Sequence, residues 1–176
     1  MNNRMQEWIA ALSTYSATRE TILQHRFLAD VGGELWRRGE FDFSVSHSEV
    51  DNSGYDLIIE ARGIMRHVQL KAMHGQARRR SFDIQTRLGA KPNGCAVLIR
   101  HDARSLAVEA YRWFGAPPGQ GLPPLGEKVT RHAKGNALGH KTDRPALREV
   151  PLARFAPVFD IAALVDLMFG PGPEAG

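Results

Sequence analysis

The stretch Gly54-Tyr55-Asp56-Leu57-Ile58-Ile59-Glu60-Ala61-Arg62-Gly63-Ile64-Met65-Arg66-His67-Val68-Gln69-Leu70-Lys71-Ala72 decides how the chain is read. Tyr55 to Ala61 and Ile64 to Ala72 are strand-forming runs, and the two-residue break Arg62-Gly63 predicts an antiparallel hairpin between them. Asp51-Asn52-Ser53-Gly54, just upstream, is turn chemistry. Side chains two apart in a pleated strand share a face, so Asp56, Ile58 and Glu60 point one way. On the partner strand Gln69 and Lys71 share a face that Leu70 opposes. A neighbouring register then gathers an acid, an amide oxygen and an ammonium group on one surface at the end of the sheet.

Working outward, Ile22, Leu23, Phe27, Leu28, Val31, Leu35 and Trp36 recur at three- and four-residue spacing. That predicts a helix from about Ser16 to Arg38 stopped by Gly39, with a shorter helix, Gln6 to Leu12, before it. Phe41 to Val45 alternates apolar and polar residues and predicts a strand. Beyond the hairpin come a polar basic stretch, His74 to Arg80, and a short helix-like run from Ser81 to Leu88 that breaks at Gly89 and Pro92. Gly94 to Arg100 is the most apolar strand, and Leu106 to Phe114 reads as one more. Gly115 to Pro124 is rich in proline and glycine and predicts a loop. The basic segment up to Arg148 shows little apolar periodicity. Ile161, Leu164, Val165 and Met168 then fall at helical spacing, predicting a C-terminal helix over about 157–170. The order helix, three strands, helix, strand predicts an α/β fold with a mixed sheet flanked by helices, in one domain of 176 residues with its core at about 16–114.

A hydrophobic content of 43% suffices for a sizeable core. The only cysteine, Cys95, lies in an apolar run and cannot form an internal disulfide, which suits a reducing, cytoplasmic setting. No apolar run approaches the ~18 residues of a membrane span, so no membrane association is expected. Gly115 to Gly121 is broken by prolines and lacks a phosphate-contacting Lys-Ser/Thr, so no nucleotide triphosphate is expected. The seven histidines are scattered without paired metal-ligand spacing and read as surface or packing residues; His74, three after Lys71, is the one placed to approach a phosphate. Trp8, Trp36 and Trp113 read as core or interface aromatics.

The net charge of +4 is concentrated. From Arg62 to Lys91 eight basic residues face the single acid Asp83, and from Lys128 to Arg148 six face Asp143. Two such segments suit a polyanion, because phosphate contacts supply most sequence-independent affinity for nucleic acid. Arg78, Arg79, Arg80, Lys128, Arg131 and Lys134 are the nucleic-acid-binding candidates. A solvated basic surface would show the same counts.

Asp56 after Gly54-Tyr55, followed across a hairpin by Gln69-Leu70-Lys71, resembles the PD-(D/E)XK, or restriction endonuclease-like, nuclease superfamily over roughly Glu20 to Arg100. The resemblance implies an αβββαβ core and a Mg2+- or Mn2+-dependent hydrolysis of DNA phosphodiester bonds. It implies that Asp56, Gln69 and the main-chain carbonyl of Leu70 bind the metal and that Lys71 assists the attacking water. It also implies a helix glutamate, for which Glu34 is preferred over Glu20. Gln69 stands where the family usually carries Asp or Glu, although it has members with glutamine at this place; the amide removes one negative charge, for which Glu60, Glu34, Glu49 or Asp51 could compensate. If none does, the domain is a noncatalytic nucleic-acid-binding or assembly protein that keeps the nuclease fold. A homodimer joined through apolar surface near Trp113 and Phe114 is a further expectation.

Overall fold

The computed structural model describes residues 3–47, 53–131 and 142–172. The hairpin is as the sequence predicts. Strand β2 (Leu57–Ala61) pairs antiparallel with β3 (Ile64–His74), Leu57 opposite Val68 and Ala61 opposite Ile64. Arg62 and Gly63 both take positive φ, 54° and 69°, the conformation of a two-residue turn whose twist matches the strands. β1 (Phe43–His47) pairs on the outer side of β2, while β3 runs parallel to β5 (Gly94–His101). β6 (Val108–Gly115) and β9 (Ala156–Val158) complete a mixed six-stranded sheet in the order β1-β2-β3-β5-β6-β9.

Helices α1 (Asn3–Thr14), α2 (Ser16–Arg37) and α4 (Ile161–Phe169) come as the spacing predicts. α2 presents Leu23, Phe27, Val31 and Leu35, one stripe at four-residue spacing, to Leu57, Ile59, Val68, Val97 and Ile99 of the sheet. Leu164, Val165 and Met168 of α4 join the same core. Arg66, fully buried, closes the C-terminal end of α4 by donating to the carbonyls of Leu167 and Met168. The mixed-sheet α/β arrangement is therefore present.

The opposite face departs from expectation. Ser81 to Leu88 is not a helix: Ser81–Gln85 is a strand, β4, and only the single turn α3 (Thr86–Gly89) follows it. The segment expected to be a basic addition without periodicity carries β7 (Val129–Arg131) and β8 (Asp143–Pro151), which join β4 in a second, three-stranded sheet of order β4-β8-β7. Phe82, Ile84, Leu88 and Val150 of this layer pack with Ala96, Leu98 and Phe114 of the main sheet, with Phe155 between them. The aromatics are redistributed as well. Trp113 and Phe114 are buried in the two cores and offer no surface for a homodimer, whereas Trp36 is 65% exposed and Trp8 42% exposed, neither of them core. No described helix is long and apolar enough to cross a membrane.

Candidate functional site

β3 outruns its partner. β2 begins at Leu57, opposite Val68, so β3 continues for six residues beyond the β2 register, to His74. At this exposed step Asp56 is fixed from both sides: its N–H donates to the Val68 carbonyl at 2.9 Å, and its Oδ2 accepts the Leu70 N–H at 2.6 Å. Gly54, two residues earlier, sets the approach. Its φ is +82°, and a Cβ there would meet the main chain of α3 at 3.0 Å. The N–H and C=O of one strand residue leave on the same side. The Leu70 carbonyl is therefore turned, like its N–H, towards Asp56.

The step opens into a cleft of about 360 Å³. Arg19, Glu20, Leu23 and Gln24 of α2 form one wall, Asp56, Leu70, Lys71 and Ala72 the floor, and Arg79, Phe82 and Asp83 the other wall. Lys71 is half-buried at the centre. Burial pushes its ammonium below the ordinary lysine value; Asp56, Asp83 and Glu20 pull the other way, and Arg79 adds to the downward push. The two sheet layers thus place an acid, a main-chain carbonyl edge and a lysine with reduced basicity on one floor.

The remaining candidates are sorted by the same geometry. Glu34 is not at the cleft. Its carboxylate, 5% exposed, is held by Arg37 at 2.7 Å and Arg38 at 2.6 Å, and these two guanidinium groups bring its pKa to about 2. Fourteen residues of helix separate it from Glu20, roughly 21 Å. Glu20, the less preferred of the two on sequence, is the helix acid that lines the cleft. Glu60 pairs with Met65 beside the hairpin turn, four strand residues or roughly 13 Å from Asp56, and does not line the cleft. Gln69 shares the face of Lys71 but is 5% exposed, and its Oε1 accepts the Gln85 N–H at 3.2 Å beneath the second layer. Glu49, Asp51 and Lys134 lie outside the described residues.

Among the basic candidates Arg79 reaches the cleft, while Arg78 and Arg80 are exposed outside it. Lys128 pairs with Glu149 at 2.9 Å and Arg131 with Asp143 at 3.1 Å, both on the surface of the second sheet. Such exposed pairs contribute little to stability. His74 has a buried Nδ1 without a hydrogen-bond partner among the described residues. Asp83 is the acid that sequence reasoning missed. The signal was present in the alternation of Phe82 and Ile84 with Ser81, Asp83 and Gln85, which is a strand pattern that puts Asp83 on the polar face.

No protein-family model and no curated protein sequence matches the chain. Among solved structures it is similar to a Holliday junction resolvase of the archaeal hyperthermophile Archaeoglobus fulgidus, with 14% identity over 80% of this chain and 98% of that one at a TM-score of 0.34. It is also similar to a bacterial homing endonuclease, with 18% identity over 61% of this chain and 77% of that one at a TM-score of 0.26. Overlaps at this level leave the cleft to be judged on its own geometry.

That geometry bears on a metal directly. Among the described residues no three His, Cys, Asp or Glu side chains converge closely enough to hold an ion by themselves. The available donors are all oxygens: the Asp56 carboxylate, the Leu70 carbonyl and, from the facing wall, Glu20. A small hard cation that retains several waters fits an open oxygen set of this kind, whereas a thiolate- or imidazole-seeking metal does not.

Proposed function

We propose that the cleft is the active site of a Mg2+- or Mn2+-dependent nuclease that hydrolyses DNA phosphodiester bonds. The observation that carries the reading is the convergence of Asp56, the Leu70 carbonyl and Lys71 on the exposed step of β3, facing Glu20 across the cleft. Asp56, the Leu70 carbonyl and Glu20 would hold the cation, which supplies a more acidic water and offsets charge on the phosphate. Gln69 would join them only by giving up its bond to Gln85. Lys71 orients the attacking water by accepting or sharing its proton, a task that its reduced basicity favours, and in the ammonium form it offsets charge growing on the phosphate oxygens. As the water oxygen bonds to phosphorus, the bond to the leaving sugar oxygen breaks, and a proton from solvent restores the hydroxyl. Arg78, Arg79, Arg80, Lys128, Arg131 and Lys134 are the proposed contacts to the DNA backbone.

A second reading has an observation of its own. With Gln69 sealed beneath β4 and no cluster of three acids among the described residues, the domain would bind nucleic acid without cutting it. Labelled single-stranded, duplex and branched DNA incubated with Mg2+ or Mn2+ separates the two. The nuclease reading expects cleavage that EDTA stops, that Asp56→Ala, Lys71→Ala and Glu20→Gln each reduce roughly 100-fold or more, and that Glu60→Gln leaves intact. Wild-type protein that cuts nothing in either metal, yet binds DNA with a salt-dependent affinity unchanged by EDTA, refutes the nuclease in favour of the binding module.

A further inference from the structure

Of the three consecutive arginines Arg78, Arg79 and Arg80, the middle one is held quite differently from its neighbours. Its Nε donates to the Ser81 carbonyl at 2.7 Å, and its guanidinium carbon lies 4.7 Å from the centre of the Phe82 ring. Phe82 is itself fully buried, so the stacking surface is fixed. Of the acids around Arg79, Glu149 is near enough to feel its charge and Asp83 stands within ion-pair distance. An aspartate beside an arginine ordinarily closes a two-pronged ion pair that consumes the terminal N–H groups. Here the Asp83 Oδ2 stops 3.6 Å from Arg79, beyond hydrogen-bond reach. The other oxygen is engaged elsewhere: Oδ1 accepts the hydroxyl of Thr130 at 2.9 Å, and Thr130 is 6% exposed in strand β7. The second sheet thus holds the carboxylate by that oxygen while its charge still orients the guanidinium.

From these contacts we propose that Thr130 and Asp83 form a brace that keeps Arg79 poised as the phosphate-gripping cation of the cleft. Its terminal N–H groups are then offered to a nucleic-acid backbone phosphate next to the one over Lys71. The proposal rests on the reading of the cleft as a nucleic-acid site and adds two positioning residues to it, Asp83 and Thr130. Pre-organisation is the physical advantage. An arginine already fixed by a carbonyl and a ring loses little side-chain entropy on binding, unlike Arg78 and Arg80, whose side chains make no hydrogen bond or ion pair among the described residues. Without the Thr130 hydroxyl, Asp83 is free to close on Arg79 and compete with the phosphate.

The test is binding of a fluorescently labelled DNA duplex by the full chain in EDTA, followed by anisotropy over a range of salt. Arg79→Ala is expected to weaken binding roughly 5- to 10-fold near physiological salt and to lower the salt slope by about one phosphate contact. Arg78→Ala and Arg80→Ala should each cost less than about 3-fold. Thr130→Val, close in shape but without the hydroxyl, should weaken binding several-fold, and Thr130→Ser should restore it. The deciding comparison is Thr130→Val in the Arg79→Ala background, where its effect should vanish; a merely structural role for Thr130 would weaken binding equally in both backgrounds and overturn the brace. Equal losses for Arg78→Ala, Arg79→Ala and Arg80→Ala would overturn it too. Wild-type protein that shows no salt-dependent binding overturns the nucleic-acid reading itself, and the brace with it.

Discussion

Lys71→Met should make the protein more stable while removing its proposed activity. The lysine's basicity is below its ordinary value in the fold, so burial together with every surrounding charge leaves the folded state disfavouring the ammonium relative to the neutral amine. Methionine keeps an unbranched stem of similar length, carries no charge, and on the same strand face follows the lead of Met73, which packs with the cluster around Phe82. Relief of the buried charge, less the lost attraction to Asp56 and Asp83, is expected to raise stability by about 1 kcal/mol. For a chain of this length that is roughly 2–4 °C in Tm. Because the folded-state pKa is lowered, the wild-type penalty is fully present below it and fades as pH rises towards 10.5, the value of an ordinary lysine. Calorimetric melts of both proteins in EDTA at neutral pH and near pH 10 measure the gap. It should favour Lys71→Met at neutral pH and shrink with rising pH. A Lys71→Met protein that melts lower at neutral pH, or a gap that widens as pH rises, would refute the argument that burial outweighs the cleft carboxylates.

Two further substitutions probe the frame around the cleft. Arg66→Met also removes a guanidinium disfavoured by burial, but it strips the donors from the carbonyls of Met168 at 2.5 Å and of Leu167 and Ala116 at 3.0 Å. Unsatisfied buried carbonyls outweigh the relief, so urea unfolding should show a loss of about 3 kcal/mol. Glu34→Gln should destabilise at neutral pH by no more than about 2 kcal/mol, because the exposed partner Arg37 is screened by solvent. The carboxylate's pKa is lowered from 4.5 to about 2, so its contribution is complete above pH 4.5 and is lost as pH falls through about 2; the difference between the two proteins in urea melts should close over that window.

The parts of the fold that were legible are those whose signal is local. The β2–β3 hairpin announces itself through alternation and a two-residue turn, and α2 through a four-residue stripe. The second sheet was not legible because its pairing is not local: Phe82 of β4 meets Val150 of β8, far along the chain. Phe82 and Ile84 alternate as strand residues while Ile84 and Leu88 stand one helical turn apart, and in so short a run the distant partner decides where the strand gives way to the turn. β8 hides for another reason, since its first four residues are exposed and show no apolar alternation.

The site divides along the same line. Strand parity puts Gln69 and Lys71 on one face of β3, while Asp56, just before β2, turns its carboxylate to the Leu70 N–H at the strand edge. Parity does not say what covers the face, and the β4–α3 layer seals Gln69 while leaving Lys71 open. The choice between Glu20 and Glu34 likewise turned on which end of α2 abuts the step in the sheet, which helical spacing cannot show. Yet the sequence around Glu34 held the answer in another form. Arg37 and Arg38 stand three and four residues after it, the separations at which helix neighbours meet, so that carboxylate had local partners before the fold offered it any others. Among the described residues Glu20 forms its ion pair with the adjacent Arg19, at 2.8 Å with the glutamate 65% exposed, and has no cation three or four residues away along the helix. A helix acid destined for a cleft is better sought where helical spacing gives it no competing cation.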